Sequence, residues 1–276
     1  MRTDVRGPQS GPSIVRKTFD LYAAGHRLSA LSLTPAETAA DSPVLVFLHE
    51  GLGSVGQWRD FPDAVCASTC HPVLVYERWG YGNSDPLNAP RTPRYLHDEA
   101  FISLPEVLKQ CKIENPVFVG HSDGGSIALI YAGRNPGRTR GIITEAAHVF
   151  VEDATLEGIK RAVEVYETTD LKERLAKFHG SNTDSMFRGW ADTWLSPAFR
   201  NWNIEEYLPA ITCPVLAIQG KDDEYGTPAQ VAAIASQVSG PAVGCMIDNC
   251  GHIPHIQAGE KVLEEMVNFI HSLMKS

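Results

Sequence analysis

"NPVFVGHSDGGSIALIYAG" (residues 115–133) sets a polar hexapeptide, GHSDGG at 120–125, between two apolar runs. The first run is short and rich in strand-forming residues, and the second repeats apolar residues at helical spacing. The segment therefore reads as strand, sharp turn, helix. Gly120, Ser122 and Gly124 match G-x-S-x-G in the setting that this pattern requires. A serine is lifted out of a strand end on a strained turn, and its small neighbours let backbone and helix approach. Ser122 is thus a candidate nucleophile.

Three further runs resemble NPVFV: SPVLVFLH (42–49), HPVLVYER (71–78) and CPVLAIQG (213–220). Each is nearly all apolar, as in strands buried on both faces, and each ends in polar or glycine-rich residues. Helical patterns separate them, in GQWRDFPDAVCAS, LHDEAFISLPEVLKQCK (with Pro105 as a helix start or kink), GSIALIYAGRN and KVLEEMVNFIHSLMK. Strands alternating with helices predict an α/β fold, a mostly parallel sheet covered on both faces. Upstream, KTFDLYA and HRLSALSLTP read as a hairpin turning at Ala-Gly. The alternation breaks at about 146–209, where two long helical stretches (LEGIKRAVEVYETTDLKERLAKFHG and TDSMFRGWADTWLSPAFRNWNIEEYL) predict an inserted helical cap. Residues 1–145 and 210–276 are then the core. The cap holds Trp190, Trp194 and Trp202, which either pack it onto the core or line a pocket.

Composition narrows the partners. With 276 residues, 43% of them hydrophobic, one domain with an insertion is expected. Lys+Arg 24 against Asp+Glu 33 gives −9, without blocks of like charge, so a nucleic-acid partner is not expected. No run approaches a membrane span, and the polar opening MRTDVRGPQSGP does not read as a signal peptide. Six cysteines without C-x-x-C pairs predict reduced thiols in a cytoplasmic protein, with neither metal nor cofactor.

A serine hydroxyl needs a base, and the base needs an orienting carboxylate. In parallel sheets, functional groups gather past the carboxyl ends of strands. CMIDNCGHIPHIQ (245–257) offers a strand followed by Gly251-His252, and IQGKDDEYGTP (218–228) offers carboxylates directly after the preceding strand. The chain order is then Ser, Asp, His.

With these residues the sequence resembles the α/β-hydrolases, from about residue 18 onward. The resemblance implies an acid in a G-x-x-D pattern, which picks Asp223 over Asp222, and a base after glycine, which picks His252 over His255. It also implies an oxyanion hole made by the amides of Asp123 and of a residue in HEGLGSVGQW (49–58). There Gly51 is the expected donor and Leu52 the alternative. Glu50 departs from the family's His-Gly and is expected to point away or to pair with a base such as Arg78. The Asp123 side chain is expected to cap the following helix. YERWGYGNSD (76–85) fits the family's D-x-R-G-x-G-x-S loop, with Glu77 and Trp79 as departures. Trp190, Trp194, His148 and His255 are the candidate pocket residues, and His97 and His179 read as surface or structural.

The resemblance thus implies an acyl-serine hydrolase of a small, mainly neutral carboxylic ester or lactone. A serine at the elbow sets the chain apart from dehalogenases and epoxide hydrolases of this fold, which use aspartate. Amide, thioester or perhydrolase activity would use the same triad and stays open, and two further alternatives are kept. One is carbon–carbon bond hydrolysis of ring-cleavage products, whose enzymes carry a Gly-Pro-Gly type loop that HEGLGS does not match. The other is a non-catalytic ligand receptor on the same fold.

Overall fold

The computed structural model describes residues 13–39 and 42–274; the polar opening MRTDVRGPQSGP lies outside these. Eight strands form one sheet: β1 (Ile14–Ala23), β2 (His26–Pro35), β3 (Leu45–Leu48), β4 (Val73–Tyr76), β5 (Val117–His121), β6 (Gly141–Glu145), β7 (Val215–Gly220) and β8 (Ala242–Ile247). Their order is β1-β2-β4-β3-β5-β6-β7-β8. The β1–β2 and β2–β4 pairings are antiparallel and all others parallel, the mostly parallel sheet expected. The first two strands are joined at Ala24 and Gly25, both at positive φ, as a two-residue hairpin turn demands.

The helices are α1 (Phe61–Thr69), α2 (Tyr95–Asp98), α3 (Leu104–Gln110), α4 (Asp123–Arg134), α5 (Asp153–Thr168), α6 (Leu171–His179), α7 (Thr183–Leu195), α8 (Ala229–Gln237), α9 (Pro254–Gln257) and α10 (Gly259–Leu273). The apolar runs have no polar alternation because both sheet faces are covered. Leu45 and Phe47 of β3 pack with Phe61 and Val65 of α1 and Met266 and Ile270 of α10. Val46 and Leu48 face the opposite core, with Ile127 and Ile130 of α4. Each such fully buried side chain contributes about 1.5–3 kcal/mol.

Pro105 stands at the start of α3, directly after a π turn at Glu99–Ser103 that joins α3 to α2. The ring's missing N–H removes a helical bond there, which a wider turn tolerates. Between β6 and β7 lie α5, α6 and α7, in the stretch read as an insertion. Helix was expected through 183–208, but α7 stops at Leu195, two residues before Pro197. The chain then coils so that Trp202 stacks on Phe199 and packs on Trp194. All six cysteines are unpaired. Among the described residues, no helix is long and apolar enough to cross a membrane.

Candidate active site

Ser122 occupies the hinge between β5 and α4 at φ 50°, ψ −115°. A side chain in this region costs about 1–3 kcal/mol, so surrounding bonds must impose it. The Ser122 amide donates to the Glu145 carbonyl at 2.8 Å, and the Ser122 carbonyl accepts from the Ser126 amide at 3.1 Å. The helix passes so close to β3 that a β-carbon on Gly124 would collide with the Leu48 carbonyl. Only glycine permits this approach, and it brings the loop after β3 alongside the serine.

Asp223 and His252 follow β7 and β8, and their side chains are 1% and 8% exposed. His252 Nδ1–H donates to Asp223 Oδ1 at 2.8 Å. Asp223 also accepts from the Tyr225 amide at 2.9 Å and from Gln219 Nε2 at 3.1 Å. Burial alone would raise its pKa, but the charge and hydrogen bond of His252 outweigh that and hold it below the ordinary value. For His252 burial pulls down, yet Asp223 wins and the imidazole lies above its ordinary value. With Nδ1 committed to Asp223, Nε2 is the basic nitrogen. The loop carrying His252 is pinned by His121 Nε2, which donates to the His252 carbonyl at 2.7 Å, and by Glu224, which accepts from its amide at 3.2 Å. Asp222 is exposed, and its amide only fastens the strand end to the Cys250 carbonyl.

Ser122 and His252 border one cavity of about 120 Å³, whose walls include Trp190, Trp194, His148, Glu50 and Tyr225. The Trp190 indole lies over Gly51 so closely that a β-carbon there would collide with it. His255, expected as a pocket-wall or packing residue, lies in a neighbouring cavity with His49, Trp58 and His121. Its amide and Nδ1–H donate to the buried Glu145 carboxylate at 2.9 and 3.0 Å, and its ring packs 4.5 Å from Trp58.

The loop after β3 differs from expectation in two respects. Arg78 meets Glu50 only at its carbonyl oxygen, 2.7 Å away, and its guanidinium pairs with Asp123 instead. The Glu50 carboxylate folds back to accept from the Leu52 amide at 3.4 Å, and burial pushes its pKa up despite the pull of His252. Asp123, expected to cap α4, leaves its Oδ1 without a partner among the described residues, and its Oδ2 accepts from Tyr95 Oη at 2.7 Å and from Arg78 at 3.4 Å. Tyr95, Gln219, Glu224 and Tyr225 were not found from the sequence, although Glu224 and Tyr225 directly follow the acid in DDEYG.

His179 at the end of α6, expected as a surface or structural residue, is buried. Its Nδ1 accepts from the Gly82 amide at 2.9 Å, and its Nε2–H faces the Leu52 carbonyl at 2.9 Å and Gln57 Oε1 at 3.0 Å. Burial brings its pKa down to about 4 from 6.5. The folded state thus favours the neutral ring. The stability this gives is present above pH 6.5 and is lost as pH falls toward 4, a loss of about 3 kcal/mol at most. Thermal midpoints from pH 7 to 4 are expected to fall less steeply for His179→Gln than for wild type. Equal slopes would rule out the linkage.

The sequence profile of the alpha/beta hydrolase family matches residues 45–265. The chain is 26% identical over 266 residues to a proline iminopeptidase of Saccharolobus solfataricus, covering 82% of this chain and 84% of the relative. It is 27% identical over 217 residues to a 2-hydroxy-6-oxononadienedioate/2-hydroxy-6-oxononatrienedioate hydrolase of Cupriavidus pinatubonensis, covering 68% and 73%. A bacterial membrane phospholipase A has a similar fold, with TM-score 0.74 at 15% identity over 95% of this chain and 87% of its own.

Proposed function

Since the chain belongs to the alpha/beta hydrolase family, we propose that it is a serine hydrolase cleaving a carboxylic ester or lactone of a small, mainly neutral substrate. The observation that carries this reading is the shared cavity: Ser122, on its strained hinge, borders the same small space as a His252 already oriented by Asp223 at 2.8 Å.

In the proposed mechanism, His252 Nε2 takes the Ser122 hydroxyl proton as Oγ attacks the carbonyl carbon. The oxyanion settles on the amides of Gly51 and Asp123, each such donor being worth about 10²–10³ in rate. Engagement of the Leu52 amide by Glu50 supports Gly51 over Leu52. His252 returns the proton to the departing alkoxide, leaving acyl-Ser122. Water, deprotonated by His252, then releases the acid and restores the serine. Asp223 stabilises the imidazolium throughout. Residues 146–209 act as a cap on the core of 1–145 and 210–276, contributing His148, Thr155, Ile159, Trp190 and Trp194 to the cavity wall. Unpaired cysteines support a reducing, cytoplasmic setting.

Carbon–carbon bond hydrolysis is the second reading, and the likeness to the Cupriavidus hydrolase favours it. The test is intact-protein mass spectrometry after a fluorophosphonate, beside turnover of p-nitrophenyl esters, lactones and a ring-cleavage dienoate. One adduct on Ser122 with ester or lactone turnover is expected. Turnover of the dienoate alone would promote the second reading, and neither adduct nor turnover would indicate a receptor.

A further inference from the structure

Behind the loop that carries Gly51, one buried guanidinium touches both sides of the candidate oxyanion hole. The Arg78 side chain is 3% exposed and that of Asp123 is 0% exposed. Arg78 Nη2 donates to the Glu50 carbonyl at 2.7 Å, and Nη1 donates to Asp123 Oδ2 at 3.4 Å. The Arg78 amide donates to His49 Nε2 at 3.1 Å, so His49 carries its proton on Nδ1 and gives it to the same Glu50 carbonyl at 2.8 Å. Burial, with Arg78 beside it, keeps that imidazole neutral, as this arrangement requires. Asp123 Oδ2 also accepts from Tyr95 Oη at 2.7 Å, and Tyr95 Oη accepts from Trp194 Nε1 at 2.7 Å. A continuous run of hydrogen bonds therefore links Trp194 of α7, at the cavity wall, to the Glu50 carbonyl.

The Glu50–Gly51 bond is trans, so the Glu50 C=O and the Gly51 N–H point to opposite sides of the chain. Two donors that hold the oxygen toward Arg78 thereby turn the Gly51 N–H away from it. The same guanidinium holds the side chain of Asp123, whose amide is the other donor.

We propose that Arg78 is a positioning residue for the proposed serine-hydrolase reaction: it clamps the Glu50–Gly51 peptide and Asp123 together, fixing the spacing of the two oxyanion amides, and Tyr95 and Trp194 tie this clamp to α7. The proposal rests on the serine-hydrolase reading. A buried ion pair is weak evidence of stabilisation in itself, because desolvation offsets the attraction, whereas a guanidinium with several fixed donors can hold two acceptors at a set distance.

Lysine separates the clamp from the ion pair, since an ammonium can face Asp123 but lacks the planar fork that reaches both acceptors. In p-nitrophenyl ester turnover, Arg78→Lys is expected to keep the wild-type thermal midpoint and KM while kcat falls about 100-fold, as for loss of one oxyanion donor. The fluorophosphonate labelling rate of Ser122 falls in parallel. The double variant Arg78→Gln/Asp123→Asn strands no buried charge and keeps the test open if the lysine variant does not fold; it is expected to show the same split of kcat from KM. Retention of wild-type kcat by the folded variants would overturn the clamp. So would losses of kcat and KM together that follow the thermal midpoint. A wild-type protein that takes no label would overturn the hydrolase reading and the clamp with it, whereas a labelled wild type with a fully active Arg78→Lys would overturn the clamp alone.

Discussion

Ser122→Ala is expected to lower kcat for ester turnover by about 10⁵–10⁶ and to abolish the fluorophosphonate adduct, with the thermal midpoint unchanged. The size follows from the proposed division of labour. Without the nucleophile, only binding and the two amides remain, and these account for about 10³–10⁴ over water. Stability should be spared because alanine keeps the β-carbon at φ 50° and so neither adds nor relieves backbone strain. His252→Ala should cost about as much, and Ser122→Ala/His252→Ala little more than either, because a nucleophile and its base act as one unit. Steady-state rates of the three variants check this. Multiplying losses, or a single variant within tenfold of wild type, would remove Ser122 and His252 from the roles proposed.

Gly124→Ala is the second large effect, and it acts on the fold. The added methyl meets the Leu48 carbonyl, a backbone atom that cannot rotate aside. Either α4 lifts from the sheet or β3 moves from between β4 and β5, and both routes break packing that is fully buried. The cost should exceed about 4 kcal/mol, in the range reserved for severe core defects. Soluble yield and thermal denaturation measure it; a midpoint within a few degrees of wild type would show that the helix has room to shift.

The central strands were legible because burial on both faces leaves an unmistakable apolar run, as in VLVF and VLVY. Two other strands were harder. GIITE of β6 offers few apolar residues, and Oε2 of its buried Glu145 accepts from the amide and ring of His255, which comes from a distant loop. β8 lies at the sheet edge with two of its six residues exposed and one fully buried, so its pattern is faint, and the run read from Cys245 onward begins at Ala242. The residues singled out around the cavity follow turns that local chemistry marks, namely Ser122 in its glycine-flanked hinge and Asp223 and His252 at strand ends. What escaped reading is held by contacts between distant residues. Nothing in the spacing of Arg78, Tyr95, Asp123 and Trp194 brings them together, and the charge of Glu50 suggested that it points away or pairs with a base such as Arg78, whereas its carboxylate accepts from the Leu52 amide and Arg78 pairs with Asp123. His255 obeys the same logic: three residues beyond His252, it belongs to Glu145 and a separate cavity.

The π turn at Glu99–Ser103 sets a rotational phase. Leu96, Ala100, Leu104 and Leu108 recur every four residues, and all are at most 3% exposed. In an unbroken α-helix each step of four overshoots a full turn by about 40°, so three steps would carry this line about 120° around the cylinder, out of the core. One extra residue in the turn takes back about 100° of that drift. Leu104 and Leu108 therefore stay buried while, in the preceding turns, Tyr95 reaches Asp123 and Glu99 accepts from Tyr76 Oη at 2.7 Å. Shortening the turn by one residue would swing the two halves about 100° apart and force a choice between the apolar line and the hydroxyl beneath the nucleophile's neighbour.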